Sequence, residues 1–474
     1  MNDSRAESRR SARIIALAIS TVMFMEGLDS SIVVTSIPRI AADLHAPAVQ
    51  TSVIVSAYFL ALAVMLPISG WLADRFGGRR VFCVAILAFV GASLLCALAP
   101  TLGWLATGRV GQGACAALMT PVARVILARS TEKSELIRVM NYTIVPGIAG
   151  QALGPAVGGF VTTYASWRWN FGFSAPLGLL GIVAALAVLP RTPPAPFRPL
   201  DVLGCTLLGT TAIAMQAGFG AVERANYSLA FGAILAGVLA LMAYIGHARR
   251  SRTPLIDLDL FRIRSFRVTV WIGAVTRLGL YAAQILIPLL LQVALGFDAF
   301  HAGLFAFVSV CGTFIMRPLL SVVLRRFGFR RVLSAAGGAA ALMLAGFGFA
   351  PRDAWLPALA LYVLAFGVVR SMLFSSLASL AYADVDPSRM PMSNAVSTLS
   401  QRLSMSFGIS LGALALSLGA HGTTADRTAF IAAFCSAAAV TAVGATGLVL
   451  FLREDDGWSV AGRIPPDAPP DVPR

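Results

Sequence analysis

Long apolar segments recur along the whole chain, and short polar links separate them. Each segment has about twenty apolar or small residues, which is the length that an α-helix needs to cross the hydrocarbon core of a bilayer. The pattern predicts an all-α integral membrane protein with fourteen spans, at residues 14–37, 49–73, 81–100, 102–127, 138–163, 168–190, 202–222, 228–247, 268–294, 302–324, 331–350, 355–382, 392–419 and 428–452.

The composition agrees with a membrane protein. Apolar residues make up 57% of the 474 residues, charged residues only 12%, and the mean hydropathy is +0.79. A soluble protein has about 25% charged residues, so this chain has too little polar surface to cover a water-soluble body. The six cysteines have neither metal-binding nor disulfide spacing, and we expect free thiols.

The basic residues are distributed unevenly between the two sets of links. Of those in links and at span ends, 27 fall on the side that holds the N-terminus and 5 on the other. Cytoplasmic links carry an excess of basic residues, so both termini are predicted to be cytoplasmic, in a bacterial-type inner membrane. The net charge of +15 therefore needs no nucleic-acid partner.

The chain contains one internal repeat. The segment DRFGGRRV at 74–81 returns as RRFGFRRV at 325–332, an offset of 251 residues and eight spans. Two six-helix bundles in parallel repeat would give an offset of six spans, so spans seven and eight are interpreted as an insertion. The predicted order is a cytoplasmic tail, an N-terminal bundle, a linker with two inserted helices, a C-terminal bundle and a disordered cytoplasmic tail, at 1–13, 14–190, 191–267, 268–452 and 453–474.

Four motifs stand at matching places in the first half: GWLADRFGGRR after span two, GRVGQGACAA in span four, GIAGQALGPAVGG in span five and SWRWNF at the start of span six. Together they resemble the major facilitator superfamily, in particular its fourteen-helix drug:proton antiporter branch. The resemblance covers all the spans and implies an alternating-access transporter that exports drugs or amphipathic metabolites in exchange for protons. We expect a small-molecule substrate, protons and the lipid bilayer as partners, a functional monomer, and no cofactor or metal.

The loop after span two has both a physical and a family interpretation. Gly70 and Gly77 would permit a close backbone approach and a tight turn, and Asp74 can accept hydrogen bonds at a helix N-terminus and from nearby arginines. In the family this loop latches the two halves in one conformational state. The alternative is that its arginines only follow the basic bias of cytoplasmic links. Arg325 replaces Asp74 in the second copy, so we expect an asymmetric latch. We assign the gate to Gly70, Asp74, Arg75, Gly77, Arg79 and Arg80.

Span five carries glycines at a spacing of four, Gly150, Gly154 and Gly158, followed by Gly159. This spacing lets two membrane helices touch closely, and Pro155 would remove one backbone hydrogen bond and permit a kink. The family calls this segment the antiporter motif and associates it with export. A plain packing seam is the alternative, and the two interpretations are compatible.

Two acids, Glu26 and Asp29, lie deep in span one, three residues apart and so on one helical face. Every other acid lies in a link, a tail or at a span end. Arg109 lies in span four about 10 Å from the outer edge, against about 12 Å for Asp29, so we expect the two side chains to lie near each other. A carboxyl that burial favours as the neutral acid and an arginine favours as the anion can exchange a proton. A permanent structural ion pair is the alternative.

The resemblance supports part of this hypothesis. In the family the arginine of span four is implicated in proton transfer, and the first-helix motif contains an acid followed by Thr-Ile-Val-Asn. Here the segment reads LDSSIVV, so Asp29 matches the acid, Val34 replaces the asparagine, and Glu26 lies outside the motif. We assign proton coupling to Glu26, Asp29 and Arg109, and expect both acids to face a partly wet cavity, with Glu26 as the better carrier.

The second half has arginines but no acid inside its spans. Arg277 and Arg370 lie about 13 Å and about 18 Å from the inner edge, whereas Arg317 and Arg402 can reach the cytoplasmic surface. A cationic wall of this kind would bind an anionic group of a substrate, and pairing with backbone carbonyls is the alternative. We assign the substrate cavity to Gln112, Arg277, Gln292 and Arg370.

Other classes of function remain as alternatives. A membrane-embedded enzyme would need a nucleophile–base set or a metal cluster, but the four histidines are scattered near span ends or in links, so we expect no enzyme. An uncoupled facilitator or a transporter-like receptor would be favoured by loss of the two deep acids, which are present. An exporter of an anionic metabolite, such as an organic acid or a siderophore-like compound, differs only in its substrate, which the sequence does not specify.

Overall fold

The computed structural model describes residues 2–131, 135–190, 199–251, 254–351, 355–386, 389–419, 426–454 and 456. Within these residues the chain is helical, with no β-strand, and all six cysteines are free. Fourteen helical segments are long and apolar enough to cross a membrane, which confirms the predicted membrane fold. They are α1 Arg13–Asp43, α2 Ala48–Phe76, α3 Gly78–Ala97, α4 Leu102–Ser130, α5 Val139–Tyr164, α6 Trp169–Val188, α7 Val202–Glu223, α8 Tyr227–Ala248, α9 Arg264–Ala294, α10 Ala299–Phe327, α11 Phe329–Gly348, α12 Leu356–Ala383, α13 Met390–Gly419 and α14 Arg427–Phe451.

Each segment begins within four residues of its predicted start, and the largest difference at an end is at α1, which continues six residues further than predicted. Its α-helix Asn2–Ile32 passes through a 3₁₀ turn, Val34–Ser36, into the short helix Ile37–Asp43. Pro38 lies in the first turn of that short helix, where a missing N–H removes no intrahelical hydrogen bond. Pro38 therefore does not end the segment.

The backbone forms two compact units. The first comprises Met1–Tyr244 and Pro288–Phe307, and the second comprises Ile245–Ile287 and Val308–Arg474. In the first unit α1 packs against α4, α5 and α6, and α4 packs against α2 and α3. In the second unit α11 packs against α12 and α14, and α13 packs against the same two helices. The predicted division into bundles and linker stays a prediction, and the predicted disordered tail lies, from residue 457 onward, outside the described residues.

The internal repeat is visible in the backbone. Gly77, between α2 and α3, and Gly328, between α10 and α11, both have a left-handed φ, +85° and +77°, a conformation that favours glycine. The two glycines are equivalent in the repeated segment, so the tight turn predicted at Gly77 is confirmed. A methyl group on Gly70 would meet nothing within 4 Å. The close backbone approach expected at Gly70 is therefore wrong, because this residue faces open space.

Candidate functional site

An ion pair between α1 and α4 lies in the interior of the first unit. Arg109 Nη1 lies 2.8 Å from Asp29 Oδ2, and the exposed fractions of the two side chains are 0% and 1%. The guanidinium also donates from Nε to the carbonyl oxygen of Ile54 at 3.1 Å. Asp29 and Arg109, which were predicted to lie near each other because they lie at similar depths in the membrane, are thus in direct contact.

Gln112 completes this network from the same face of α4. It lies three residues after Arg109, and its Oε1 accepts a hydrogen bond from Arg109 Nη1 at 2.9 Å. Its Nε2 lies 2.9 Å from Asp29 Oδ1 and 2.7 Å from Ser93 Oγ, to which it donates. The hydroxyl of Ser174 lies 3.4 Å from the same Asp29 oxygen. Both oxygens of the Asp29 carboxylate therefore have donors, which stabilise its charged form.

Aromatic rings flank the arginine. The guanidinium carbon of Arg109 lies 4.3 Å from the centre of the Tyr58 ring and 5.9 Å from that of Phe171, distances at which the ring faces attract a cation. Arg109 Nη2 is buried and has no hydrogen-bond partner among the described residues. In this site, therefore, both carboxylate oxygens of Asp29 accept hydrogen bonds, whereas Arg109 Nη2 donates none to the described residues.

Glu26 has a different partner on α4. Thr120 Oγ1 donates to Glu26 Oε2 at 2.7 Å, and the same hydroxyl lies 3.4 Å from the sulfur of Met23. Thr120 lies eleven residues after Arg109, which is about 16 Å further along the helix. The structure thus brings both acids against α4, but at different levels.

The region around the two acids is closed in this structure. The exposed fraction of Asp29 is 2% and that of Glu26 is 9%. The expectation of a partly wet cavity is wrong for Asp29, because side chains from α4 and α6 cover both of its oxygens. Glu26 retains a small exposed surface, so it is the more exposed of the two residues.

The glycines of α5 form a seam against α1. A methyl group at Gly150 or Gly158 would collide with the main-chain oxygen of Phe24 or Ile32, and one at Gly154 would collide with α1 as well. The two backbones therefore touch directly, as the spacing of four predicted. Any side chain at these positions would force α1 and α5 apart.

The next glycine, Gly159, faces another neighbour within the first unit. A methyl group there would collide with the carbonyl oxygen of Ala299, and one at Gly303 would collide with the carbonyl oxygen of Pro155. The start of α10, which belongs to the first unit, thus packs closely on the C-terminal part of α5. The predicted packing motif serves two contacts, one on each side of α5.

Hydroxyl groups of α1 replace the backbone hydrogen bonds that prolines remove from α5. Pro155 has no N–H to bond the carbonyl oxygen of Gln151, and Ser31 Oγ donates to that oxygen at 2.9 Å. The same arrangement occurs two turns earlier. Pro146 leaves the carbonyl oxygen of Tyr142 without its helical donor, and the hydroxyl of Ser20 lies 2.7 Å from it. α1 therefore supplies a hydroxyl near each freed carbonyl, as expected where water is absent, although Ser20 shares its single O–H with the carbonyl oxygen of Ala16, also at 2.7 Å.

An exposed ion pair joins the last turn of α2 to the last turn of α4. Asp74 Oδ1 lies 3.0 Å from Arg129 Nη2, and the side chains are 45% and 40% exposed. Arg129 lies in the last turn of α4 and was absent from the predicted gate, although a basic residue at that helix end was a usable signal. The predicted acceptor role of Asp74 is thus met by an arginine from another helix.

The three arginines of the predicted gate lie at the end of α2 and the start of α3 and have separate surroundings. Arg79 Nη2 donates to the carbonyl oxygen of Leu186 at the end of α6, where a cation suits the helix C-terminus. Arg75 and Arg80 are exposed. Arg79 therefore links the start of α3 to the end of α6 within the first unit.

The residues assigned to the substrate cavity do not share one environment. Gln112 is fully buried and belongs to the ion-pair network, so it lines no open surface in this structure. Gln292 lies in a π-helical turn at the end of α9, and its Nε2 donates to the carbonyl oxygen of Thr35 at 2.9 Å. Arg277 and Arg370 belong to the second unit. A common substrate-binding role for these residues stays a proposal.

Comparison with known proteins gives relatives over nearly the whole chain. One from Klebsiella pneumoniae (strain 342) is 35% identical and covers 96% of this chain and 97% of its own length. Another, from Serratia proteamaculans (strain 568), is also 35% identical and covers 89% and 90%. Both carry the name multidrug resistance protein MdtD, which was given to them by inference.

A solved structure gives the same fold. A mutant of the nucleoside transporter NupG matches with a TM-score of 0.69 and 12% identity, covering 93% of this chain and 100% of its own. The relatives and this neighbour are transporters, which confirms that the chain is not an enzyme. The sequence model of the Major Facilitator Superfamily matches residues 19–409, and with a fourteen-helix fold and full-length relatives in agreement, this chain belongs to the Major Facilitator Superfamily.

Proposed function

We propose that this chain exports drugs or amphipathic small molecules in exchange for protons, by alternating access. The observation that carries the proposal is the pair of buried acids on one face of α1, with Asp29 bound to Arg109 and Glu26 bound to Thr120. Ionisable residues inside membrane helices are rare and commonly mark proton relays. The names of the relatives support a drug-like cargo.

The proposed exchange follows from the partners of each acid. Glu26 takes up a proton from the outer side, and the Thr120 hydroxyl stays bonded to either form because it can donate or accept. Asp29 is held as an anion by Arg109 and Gln112. Movement of Arg109 away from Asp29 would leave a buried carboxylate without its counter-charge, which must then take up a proton. Arg109 therefore sets the conformational state in which Asp29 exchanges its proton.

Transport into inside-out membrane vesicles under an imposed pH gradient tests this function. We expect at least one compound from a broad panel of drugs and organic anions to accumulate, and a protonophore to abolish the accumulation. Vesicles without the protein are the control. An uncoupled facilitator would equilibrate the compound without accumulating it, and an exporter of anionic metabolites would accumulate organic anions alone.

We propose that the exposed pair Asp74–Arg129 stabilises one conformational state of the transporter. An exposed ion pair contributes up to about 1 kcal/mol, so Asp74→Asn should shift the ratio of the two states by up to about fivefold. We expect a fall in efflux of that order with an unchanged amount of protein in the membrane.

Efflux normalised to the membrane-inserted protein measures this effect. The exchanged pair Asp74→Arg with Arg129→Asp restores the opposite charges and should recover most of the rate. Wild-type efflux by the Asp74→Asn variant would count against a latch at this position.

We propose that the chain is a monomer in a bacterial inner membrane, with both termini in the cytoplasm and α7 and α8 inserted between two six-helix bundles. The uneven distribution of basic residues supports this topology. A reporter fused after residue 224 should be periplasmic and one fused at residue 474 cytoplasmic. If both report the same side, the insertion of two helices is wrong.

The mass of the purified protein in detergent tests the monomer.

A further inference from the structure

The second unit carries two arginines near the middle of membrane-spanning helices. Arg277 lies near the centre of α9 with an exposed fraction of 3%, and Arg370 lies near the centre of α12, where it is partly buried. An arginine at such a depth is costly and faces a protein interior or a water-filled cavity. Both charges therefore need a partner that stabilises them.

Neither guanidinium has an acidic partner among the described residues. No span from α9 to α14 contains an aspartate or a glutamate. Arg277 Nη1 has only a long contact, 3.5 Å, with the carbonyl oxygen of Thr269, and the guanidinium carbon of Arg370 lies 5.8 Å from the centre of the Phe366 ring. Arg109, by contrast, lies 2.8 Å from a carboxylate. Pairing with backbone carbonyls, the alternative to anion binding, thus explains one long contact of Arg277 and no contact of Arg370.

The surroundings of the two arginines supply further hydrogen-bond donors. Tyr281 lies four residues after Arg277 on the same face of α9, and its ring centre lies 5.1 Å from that of Phe374, which is four residues after Arg370 on α12. Its hydroxyl oxygen accepts from Gln401 Nε2 at 3.1 Å, so its O–H remains available to donate. Thr269 and Ser371 have buried hydroxyls without a hydrogen-bond partner among the described residues.

We propose that Arg277, Arg370 and Tyr281 bind the anionic group of the transported substrate, a carboxylate or a group of similar charge and geometry. This inference rests on the proposed export function and specifies its substrates as anionic or zwitterionic amphipathic molecules. Two cations with a phenol donor and no described acid form a site that attracts anions and repels cations.

A lipid headgroup is a less suitable source of the anion. The arginines lie near the middle of helices that cross a hydrocarbon core about 30 Å thick, so headgroups lie about 15 Å away at either side. A soluble amphipathic molecule can carry its charge to that depth through the transport pathway. Binding should therefore be the same in bilayers of neutral lipid and in bilayers that contain phosphatidylglycerol.

Two dyes that share a xanthene ring test the proposal, fluorescein as the anion and rhodamine 123 as the cation. Equilibrium binding is measured by fluorescence anisotropy with the full-length protein in nanodiscs of either lipid composition. The wild type should bind fluorescein more tightly than rhodamine 123. Arg277→Gln and Arg370→Gln should each weaken fluorescein binding by about 10–100-fold, the loss expected for a hydrogen bond to a charged group, and leave rhodamine 123 binding unchanged or tighter.

Arg317→Gln is the matched control. It removes the same charge from a helix of the second unit, but at an exposed position on α10, and should change neither affinity. Arg370→Lys keeps the charge without the planar fork and should retain part of the fluorescein affinity. Equal losses for both dyes, or losses as large in Arg317→Gln, would overturn the site.

Tighter binding of rhodamine 123 than of fluorescein by the wild type would also overturn the proposal, and this comparison holds even if a glutamine variant fails to fold. Loss of fluorescein binding in nanodiscs that contain phosphatidylglycerol, with binding retained in neutral lipid, would assign the site to a competing lipid headgroup and reject the substrate assignment. Proton-driven dye accumulation in inside-out vesicles is measured separately. Its absence, with arginine-dependent fluorescein binding intact, would reject the export function and leave the anion site standing.

Discussion

Replacing Asp29 with asparagine is expected to abolish efflux and to lower the free energy of unfolding by about 3–5 kcal/mol, the cost of leaving one member of a buried ion pair without its partner. Arg109 is fully buried, and in the variant it would keep the Ile54 carbonyl and Gln112 as hydrogen-bond acceptors but lose its counter-charge. Substrate binding should weaken as well, because α1 and α4 lose their shared anchor.

Thermal unfolding in detergent and efflux from cells measure the two effects. Arg39→Gln is the matched control on α1, since it removes the exposed partner of Asp43 and should change stability by less than about 1 kcal/mol. The double variant Asp29→Asn with Arg109→Gln removes both charges and should regain part of the lost stability without regaining efflux. An Asp29→Asn protein with wild-type stability and efflux would contradict the role assigned to this pair.

Glu26→Gln is expected to abolish proton-driven efflux while substrate binding stays within about twofold of the wild type, a change of at most about 0.4 kcal/mol. Glutamine retains the size of the side chain and an oxygen that accepts from Thr120 Oγ1, which now donates to the carboxylate at 2.7 Å. The glutamine side chain cannot take up and release a proton.

Efflux against a pH gradient and equilibrium binding of the same substrate, measured side by side, separate coupling from recognition. Thr120→Val is the matched control, because it removes the hydrogen-bond donor but keeps the carboxyl group, and it should still export. If Glu26→Gln exports at the wild-type rate, the obligatory carrier is Asp29 alone or lies outside α1.

The contact between Asp29 and Arg109 could be predicted because so few charges lie inside the spans that depth along each helix decides which can meet. The roles of Gln112 and Thr120 could not be predicted in this way. Uncharged polar residues occur in most spans, so their presence alone does not single out a site. Helical periodicity predicts on which face of its helix a residue lies, but it does not predict which neighbouring helix packs against that face. Gln112 was therefore assigned to the substrate cavity, although the structure places it in the ion-pair network.

The same limit applies to the prolines and glycines. The sequence shows that Pro155 removes a hydrogen bond from α5, but the donor that replaces it, Ser31, depends on the register between α1 and α5. A glycine in the sequence shows that a tight turn or a close helix contact is sterically allowed, but it does not show that either one forms. Gly77 uses that freedom in a left-handed turn, whereas Gly70 faces open space.

Proton movement during transport by purified protein in liposomes shows whether the protein exchanges its substrate for protons. A pH-sensitive dye inside the liposomes reports proton flux after a substrate gradient is imposed at equal pH on both sides. We expect a proton flux opposite in direction to the substrate, present in the wild type and absent in Glu26→Gln. Substrate transport by the wild type without any accompanying proton flux would contradict this exchange.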